Sequence, residues 1–272
     1  MSTQKADGSL LFETKVDEKG FDSGVKKLGG IAAKGMAAVG ASIVAAGTTV
    51  AGLGAAAIKV GIEFESAFAG VKKTVDASDE QLSALHDGLI DLSKEIPVTA
   101  AGLSAIAESA GQLGIDVDNI EEFTATMADL SVATNLTAEE AATSFARFAN
   151  IVGMSQENFD RLGSVVVALG NNLATTEAEI TAMAMRIAGA GSQVGLTEAQ
   201  IMAFSGALSS VGIEAEAGGT AFSTLISKMS LAVAQGGAAL TDFSDVAGMT
   251  GDEFREAFEQ DAGQAILSFI QG

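Results

Sequence analysis

The chain has no cysteine, no tryptophan and no tyrosine, and its 272 residues include one proline and one histidine. Without cysteine there are no disulfide staples, no thiolate nucleophile and no Cys-ligated zinc, and the redox state of the compartment stays open. A single imidazole, His86, excludes a His-based metal cluster and Ser-His-Asp catalysis. On a helical stretch it reads as a surface or partly buried residue with no special task. One proline, Pro97, argues against a loop-rich or all-β design and favours long helical runs. Aromatics make up 5% of a chain that is 48% hydrophobic, so Ala, Gly, Val and Leu do the packing and helices can approach closely. The length is ample for a core, in one large domain or two small ones.

Negative charge is abundant. The formal charge is -20, yet residues 1–34 carry six Lys against five acids, so the excess acid lies beyond residue 61. Such a body repels the phosphates that dominate nucleic-acid affinity, which speaks against specific nucleic-acid binding. It favours solubility at high local concentration. The plain reading of the charge is a solvated acidic helical surface.

One punctuation mark recurs from about Leu82 to about Gln235. A Gly or Asn is followed by an apolar residue and then by Ser, Thr or Asp: Gly114-Ile115-Asp116, Asn135-Leu136-Thr137, Gly153-Met154-Ser155 and Gly195-Leu196-Thr197. Degenerate copies are Asn172-Leu173 before Thr175-Thr176, and Gly212-Ile213-Glu214. Spacings of roughly 17 to 23 residues are those of a supersecondary repeat. Gly or Asn tolerates the left-handed conformation that closes a helix, and the hydroxyl or carboxylate then caps the next. Thr197 with Gln200, Thr137 with Glu140 and Thr176 with Glu179 have capping-box spacing, while Leu196 with Ile201 and Met154 with Phe159 form hydrophobic staples. The mark predicts successive short helices joined by tight turns. Ser78 and Thr99 are further predicted caps, and Glu95-Ile96-Pro97 closes the helix of Leu82, Leu85, Leu89 and Leu92.

Upstream, residues 1–8 read as a polar leader without the pattern of a secretory signal. Leu10, Phe12, Thr14 and Val16 alternate with mostly polar neighbours, which predicts a short strand. It has no evident partner strand, so it pairs with another copy or another protein, or stays marginal. Gly20 to Leu28 reads as a basic helix or turn. Between Lys34 and Lys59 every residue is uncharged. A helix of about 24 residues would be about 36 Å long, enough to cross a hydrocarbon core of ~30 Å, although Ala, Gly, Ser and Thr make insertion marginal. A heptad seam runs through it: Met36, Val39, Ile43, Ala46, Val50, Leu53, Ala57, Val60, Phe64, Ala67 and Val71. Beside the seam, Ala33, Ala37, Ala41 and Ala45 form a small-residue ridge for close helix packing. A core helix, a self-associating bundle and a membrane-entering segment all remain open, the last two being compatible.

The expected fold is all-α: a long Ala/Gly-rich N-terminal helix, then an array of short capped helices, with one short N-terminal strand. The expected divisions are 1–30 (leader, strand and basic turn), 31–76 (long small-residue helix and candidate membrane segment), 77–237 (helical array) and 238–272 (C-terminal helical continuation). Gly248-Met249-Thr250 resets the mark in the last of these, and the final apolar run ends at Gly272 where a helix is finishing, as expected of a fragment.

These residues resemble the phage tail tape measure proteins, in particular the TP901-type core region. The likeness begins at Asp7-Gly8-Ser9-Leu10-Leu11-Phe12-Glu13-Thr14-Lys15 and continues through Phe64-Glu65-Ser66-Ala67-Phe68-Ala69-Gly70-Val71. It is closest through Gly195-Leu196-Thr197-Glu198 and Gly218-Gly219-Thr220-Ala221-Phe222, and it extends to Phe254-Arg255-Glu256-Ala257-Phe258 and Phe269-Ile270-Gln271-Gly272. The resemblance implies a virion structural protein without catalytic residues, cofactor or metal. Several copies would lie in the tail tube lumen, fix its length during assembly in the host cytoplasm and assist genome delivery, with host inner-membrane contact in some members. The implied partners are identical copies and the tail tube, tail tip and tail assembly chaperone proteins. The chain departs from the family in being far too short for a ruler. The competing reading is a pore-forming, toxin-like helical protein that inserts residues 35–58. Acid pairs such as Glu121-Glu122 or Glu139-Glu140 point about 100° apart on a helix and do not converge on a substrate. Asp116 and Asp118 lack the Gly and terminal Glu of a calcium loop.

Overall fold

A computed structural model describes the backbone of residues 50–272 and the side chains from residue 59 onward. The expected strand, the basic turn and the first part of the long helix lie outside the described residues. Those described hold twelve α-helices, one 3-10 turn (Gln156–Asn158) and no strand. In order they are α1 (Val50–Thr74), α2 (Asp79–Glu95), α3 (Ala100–Gln112), α4 (Val117–Ala133), α5 (Ala138–Val152), α6 (Phe159–Asn172), α7 (Glu177–Gln193), α8 (Glu198–Ser210), α9 (Ala215–Gln235), α10 (Ala238–Val246), α11 (Gly251–Gln260) and α12 (Ala262–Gln271).

The packing sorts these helices by parity. Each odd helix from α1 to α9 packs on the next odd one, and each even helix from α2 to α8 on the next even one. Cross-contacts such as α3 on α4 and α7 on α8 join the two layers. This is the arrangement of an α-solenoid, in which each helix pair rests on its neighbours. The residues before α3, α5, α7 and α9 are Thr99, Thr137, Thr176 and Glu214, at steps of 38, 39 and 38 residues. The structural repeat is therefore a helix pair, two of the predicted units. Helices α10 to α12 pack on one another and close the end of the stack against α9.

The predicted caps explain where the helices begin. Ser78, Thr137, Thr176, Thr197 and Thr250 each form a complete capping box, and Thr99 accepts from the Gly102 amide. Each such cap satisfies amides that would otherwise be orphaned, worth about 1 kcal/mol. Asp116 and Ser155 stand at helix starts without a side-chain cap bond. The left-handed turn holds for glycine alone: among the described residues every positive φ belongs to Gly, as at Gly114, Gly153 and Gly195. Asn135 and Asn172 do not close their helices that way. Extended residues, Thr134 and Leu173, end α4 and α6. Up to α8 the two edges of the stack differ accordingly, with left-handed Gly between α3 and α4, α5 and α6, and α7 and α8, and extended exits after α2, α4 and α6; the turn from α8 to α9 breaks the pattern with left-handed Gly212.

One hydrophobic cluster runs from Phe64 to Ile266. Fully buried phenylalanines punctuate it, with Phe123 edge-on to Phe159 at 4.7 Å between centroids. Burying such a ring contributes about 1.5–3 kcal/mol. Alanine fills the remainder, as at Ala141, Ala142 and Ala146 on α5 and Ala184 and Ala188 on α7, all without exposed area. Among the described residues no helix is long and apolar enough to cross a membrane.

Candidate interaction surfaces

Polar side chains at the turns tie one repeat to the next. Gln156, after α5, accepts from the Asp116 amide at 2.8 Å and from Asn119 Nδ2 at 3.3 Å, and its Nε2 donates to the Gly114 carbonyl at 3.1 Å. It thereby takes the part that the N3 side chain plays in a capping box, satisfying the Asp116 amide from the neighbouring repeat. Asn135 Oδ1 accepts from the Ala178 amide at 3.1 Å, capping α7 from one repeat back. On the same edge as Gln156, Gln81 Nε2 donates to Asp118 at 3.3 Å and Gln200 Nε2 to Asp261 at 2.9 Å. These ties fix the stacking geometry of successive repeats.

Helix α1 is anchored at its C-terminal half. Phe64, Phe68 and Val71 are buried, and His86 of α2 sits against the Phe64 and Phe68 rings at 4.8 and 5.0 Å. Burial alone would draw the imidazole down. The Asp87 and Glu65 carboxylates, at 3.0 and 3.1 Å, outweigh it and hold His86 above its ordinary value. The lone histidine thus has a structural task, which the absence of other histidines did not reveal. One turn upstream, Val60 and Ile62 are 60% and 64% exposed.

The other end offers a wide-open groove of about 530 Å³ between α7 and α9, lined by Arg186, Thr220, Ser223, Thr224, Ser227, Lys228 and Leu231. Its floor is a close helix contact. A Cβ on Gly219 would sit inside the van der Waals radius of Arg186 Cβ, and Ser223 Oγ donates to the Arg186 carbonyl at 2.9 Å. A smaller cleft of about 250 Å³, between the starts of α6 and α8, is lined by Met154, Arg161, Leu162, Val165 and Met202. That is below the usual size of a small-molecule site. No group of three acids or histidines is placed to hold a metal ion among the described residues.

A family profile for phage-related minor tail proteins matches residues 86–265. The chain belongs to that family. No curated protein and no solved structure matches. The matched region of this minor tail protein opens at His86 in α2 and closes at Ala265 in α12, so it takes in nearly the whole stack and its end cap.

The residues expected to mediate self-association divide by position. Met36, Val39, Ile43 and Ala46, and all four ridge alanines (Ala33, Ala37, Ala41, Ala45), lie outside the described residues. Val50, Leu53 and Ala57 are on α1 without described side chains. Val60 is exposed and Ala67 is half-buried, whereas Phe64 and Val71 are spent on the tail protein's own core. The downstream end of the seam is an intramolecular contact because α3 packs alongside it. The acid pairs Glu121-Glu122 and Glu139-Glu140 are exposed on α4 and α5, and Asp116 with Asp118 flanks the start of α4.

Proposed function

We propose that this tail protein is of the tape measure type: a structural component that sets tail length during assembly and assists genome delivery, without enzymatic activity. The observation that carries the reading is the ordered run of tape-measure-like segments from Asp7 to Gly272, with the tail-protein match over residues 86–265 inside it. Within this reading the helix stack is a folded module and α1 is its connection to the rest of the assembly. Val60 and Ile62 are exposed where α1 leaves the stack, and the upstream seam residues, Met36 to Ala57, meet other copies. The tail tube, tail tip and assembly chaperone proteins are the other partners, and the virion tail is the site of action.

The test is electron microscopy of particles from phage with an early stop codon in the gene. Tailless heads or tubes of irregular length are expected; tails of uniform normal length would overturn the reading. Deleting residues 35–58 separates it from a pore-forming role. A pore former would lose liposome leakage, whereas a tail component fails to assemble with its tube protein in the absence of lipid.

A further inference from the structure

The cations of this acidic chain are not scattered. Residues 50–272 hold nine Lys and Arg against thirty Asp and Glu. On α5, α7 and α9 the acids are confined to the first turn: none follows Glu140, Glu179 or Glu216 before the helix ends. The outer surface beyond them carries Arg147, Arg186 and Lys228, all exposed. Arg147 and Arg186 each stand ten residues after the cap of their helix, Thr137 and Thr176, so successive repeats present them in one register. The groove between α7 and α9 runs between Arg186 and Lys228, with exposed Leu231 at its margin. The closest acid, Glu216, reaches Arg186 only at 3.9 Å and is itself 83% exposed.

The groove's hydroxyl protons are already engaged: Ser223, Thr224 and Ser227 donate to the Arg186, Thr220 and Ser223 carbonyls. The two cations are therefore what the groove offers a partner, and they suit a carboxylate-bearing helix. The opposite end of the same molecule carries such a helix. Asp87, Asp91 and Glu95 are exposed at steps of four along α2, with Lys94 paired to Asp91. His86 on Asp87 and Lys94 on Asp91 offset part of the like-charge repulsion at that spacing, and a cationic partner adds to the same effect.

We propose that the α7–α9 groove of one copy receives the acidic face of α2 of a second copy. Because α2 lies at one end of the stack and α9 near the other, the contact is head-to-tail and propagates rather than closing a two-fold dimer. It goes beyond the tape measure reading and uses a surface separate from the 36–57 seam.

Sedimentation velocity of the full chain tests it at low and high salt. Wild type is expected to form chains that dissociate as salt rises. Arg186→Glu with Lys228→Glu, and separately Asp91→Lys with Glu95→Lys, should each abolish the salt-sensitive chain growth and leave only what the 36–57 seam assembles, and mixing the two variants should restore the chains. The milder pair Arg186→Gln with Lys228→Gln, checked by circular dichroism, guards against loss of fold. A wild type that stays monomeric, association untouched by these reversals, or a groove that retains only a DNA oligonucleotide would each overturn the proposal.

Discussion

Gly219→Ala and Gly189→Ala make the same chemical change on helices of the same layer, and the structure assigns them opposite signs. In a helix interior Ala is favoured over Gly by about 1 kcal/mol, because Gly loses more backbone entropy on folding. At Gly189, on α7, a new methyl group meets nothing within 4 Å, so that gain stands alone. At Gly219, on α9, it would overlap Arg186 Cβ and approach Arg186 Cγ to 3.0 Å and Cα to 3.6 Å. A Cβ cannot swing away as a side-chain tip can; α7 and α9 must move apart. Forcing a methyl into a filled contact costs typically ~1–3 kcal/mol, which cancels or exceeds the propensity gain. It also stretches the Ser223–Arg186 hydrogen bond of 2.9 Å. Gly189→Ala should therefore raise the unfolding temperature by about 2–4 °C, and Gly219→Ala, with a net cost of up to about 2 kcal/mol, should lower it by up to about 4–8 °C. Urea and thermal melts followed by circular dichroism would show both. If Gly219→Ala stabilised as much as Gly189→Ala, the close approach of α7 and α9 would not be what requires glycine.

Thr124 Oγ1 is a fully buried hydroxyl without a hydrogen-bond partner, so Thr124→Val should stabilise by about 1 kcal/mol in the same melts. Gln156→Ala removes three bonds to the neighbouring repeat and should cost about 1–3 kcal/mol, with hydrogen exchange rising first at the start of α4. Two pH limbs are expected. Backbone amides at Thr137, Thr176 and Thr250 hold the Glu140, Glu179 and Glu253 carboxyls below 4.5, so their contribution is present above that pH and is lost as pH falls through the lowered values. His86 is raised above 6.5, so its contribution is complete below that pH and fades as pH rises through the raised value; His86→Phe should flatten this limb in melts from pH 6 to 9.

The helix starts were legible because capping is local: a hydroxyl and an acid or amide three residues on suffice, as at Thr176 and Glu179. Where the partner is distant, sequence gave no sign. Gln156 bonds the start of α4 from 40 residues away, and Asn135, whose place in the mark predicts a left-handed turn, instead uses its side-chain oxygen to serve α7 across 43 residues. The parity of the layers was hidden for the same reason. Every unit carries a similar mark, and the alternation of left-handed and extended exits that separates the two edges as far as α7 is broken at Gly212. The seam misled at Phe64 and Val71 because a heptad pattern records an apolar stripe without saying whose surface covers it.

The stack also changes where length can be measured. One repeat of 38 residues drawn out as a continuous helix would span about 57 Å. Folded as a helix pair it advances the stack by one interhelical distance, about 10 Å. A folded solenoid therefore converts residues into length about five times less efficiently than a single helix, and the array is poorly suited to be the ruler itself. Removing residues 138–176 excises one whole repeat, leaving Thr137 to cap α7 in place of Thr176, and the flanking helices can restack because each repeat contacts only its neighbours. If the array stays folded in the tail, this deletion should leave tail length in electron micrographs within about 10 Å of normal. Shortening by about 57 Å would mean that the array is drawn out inside the tube and measures residue by residue after all.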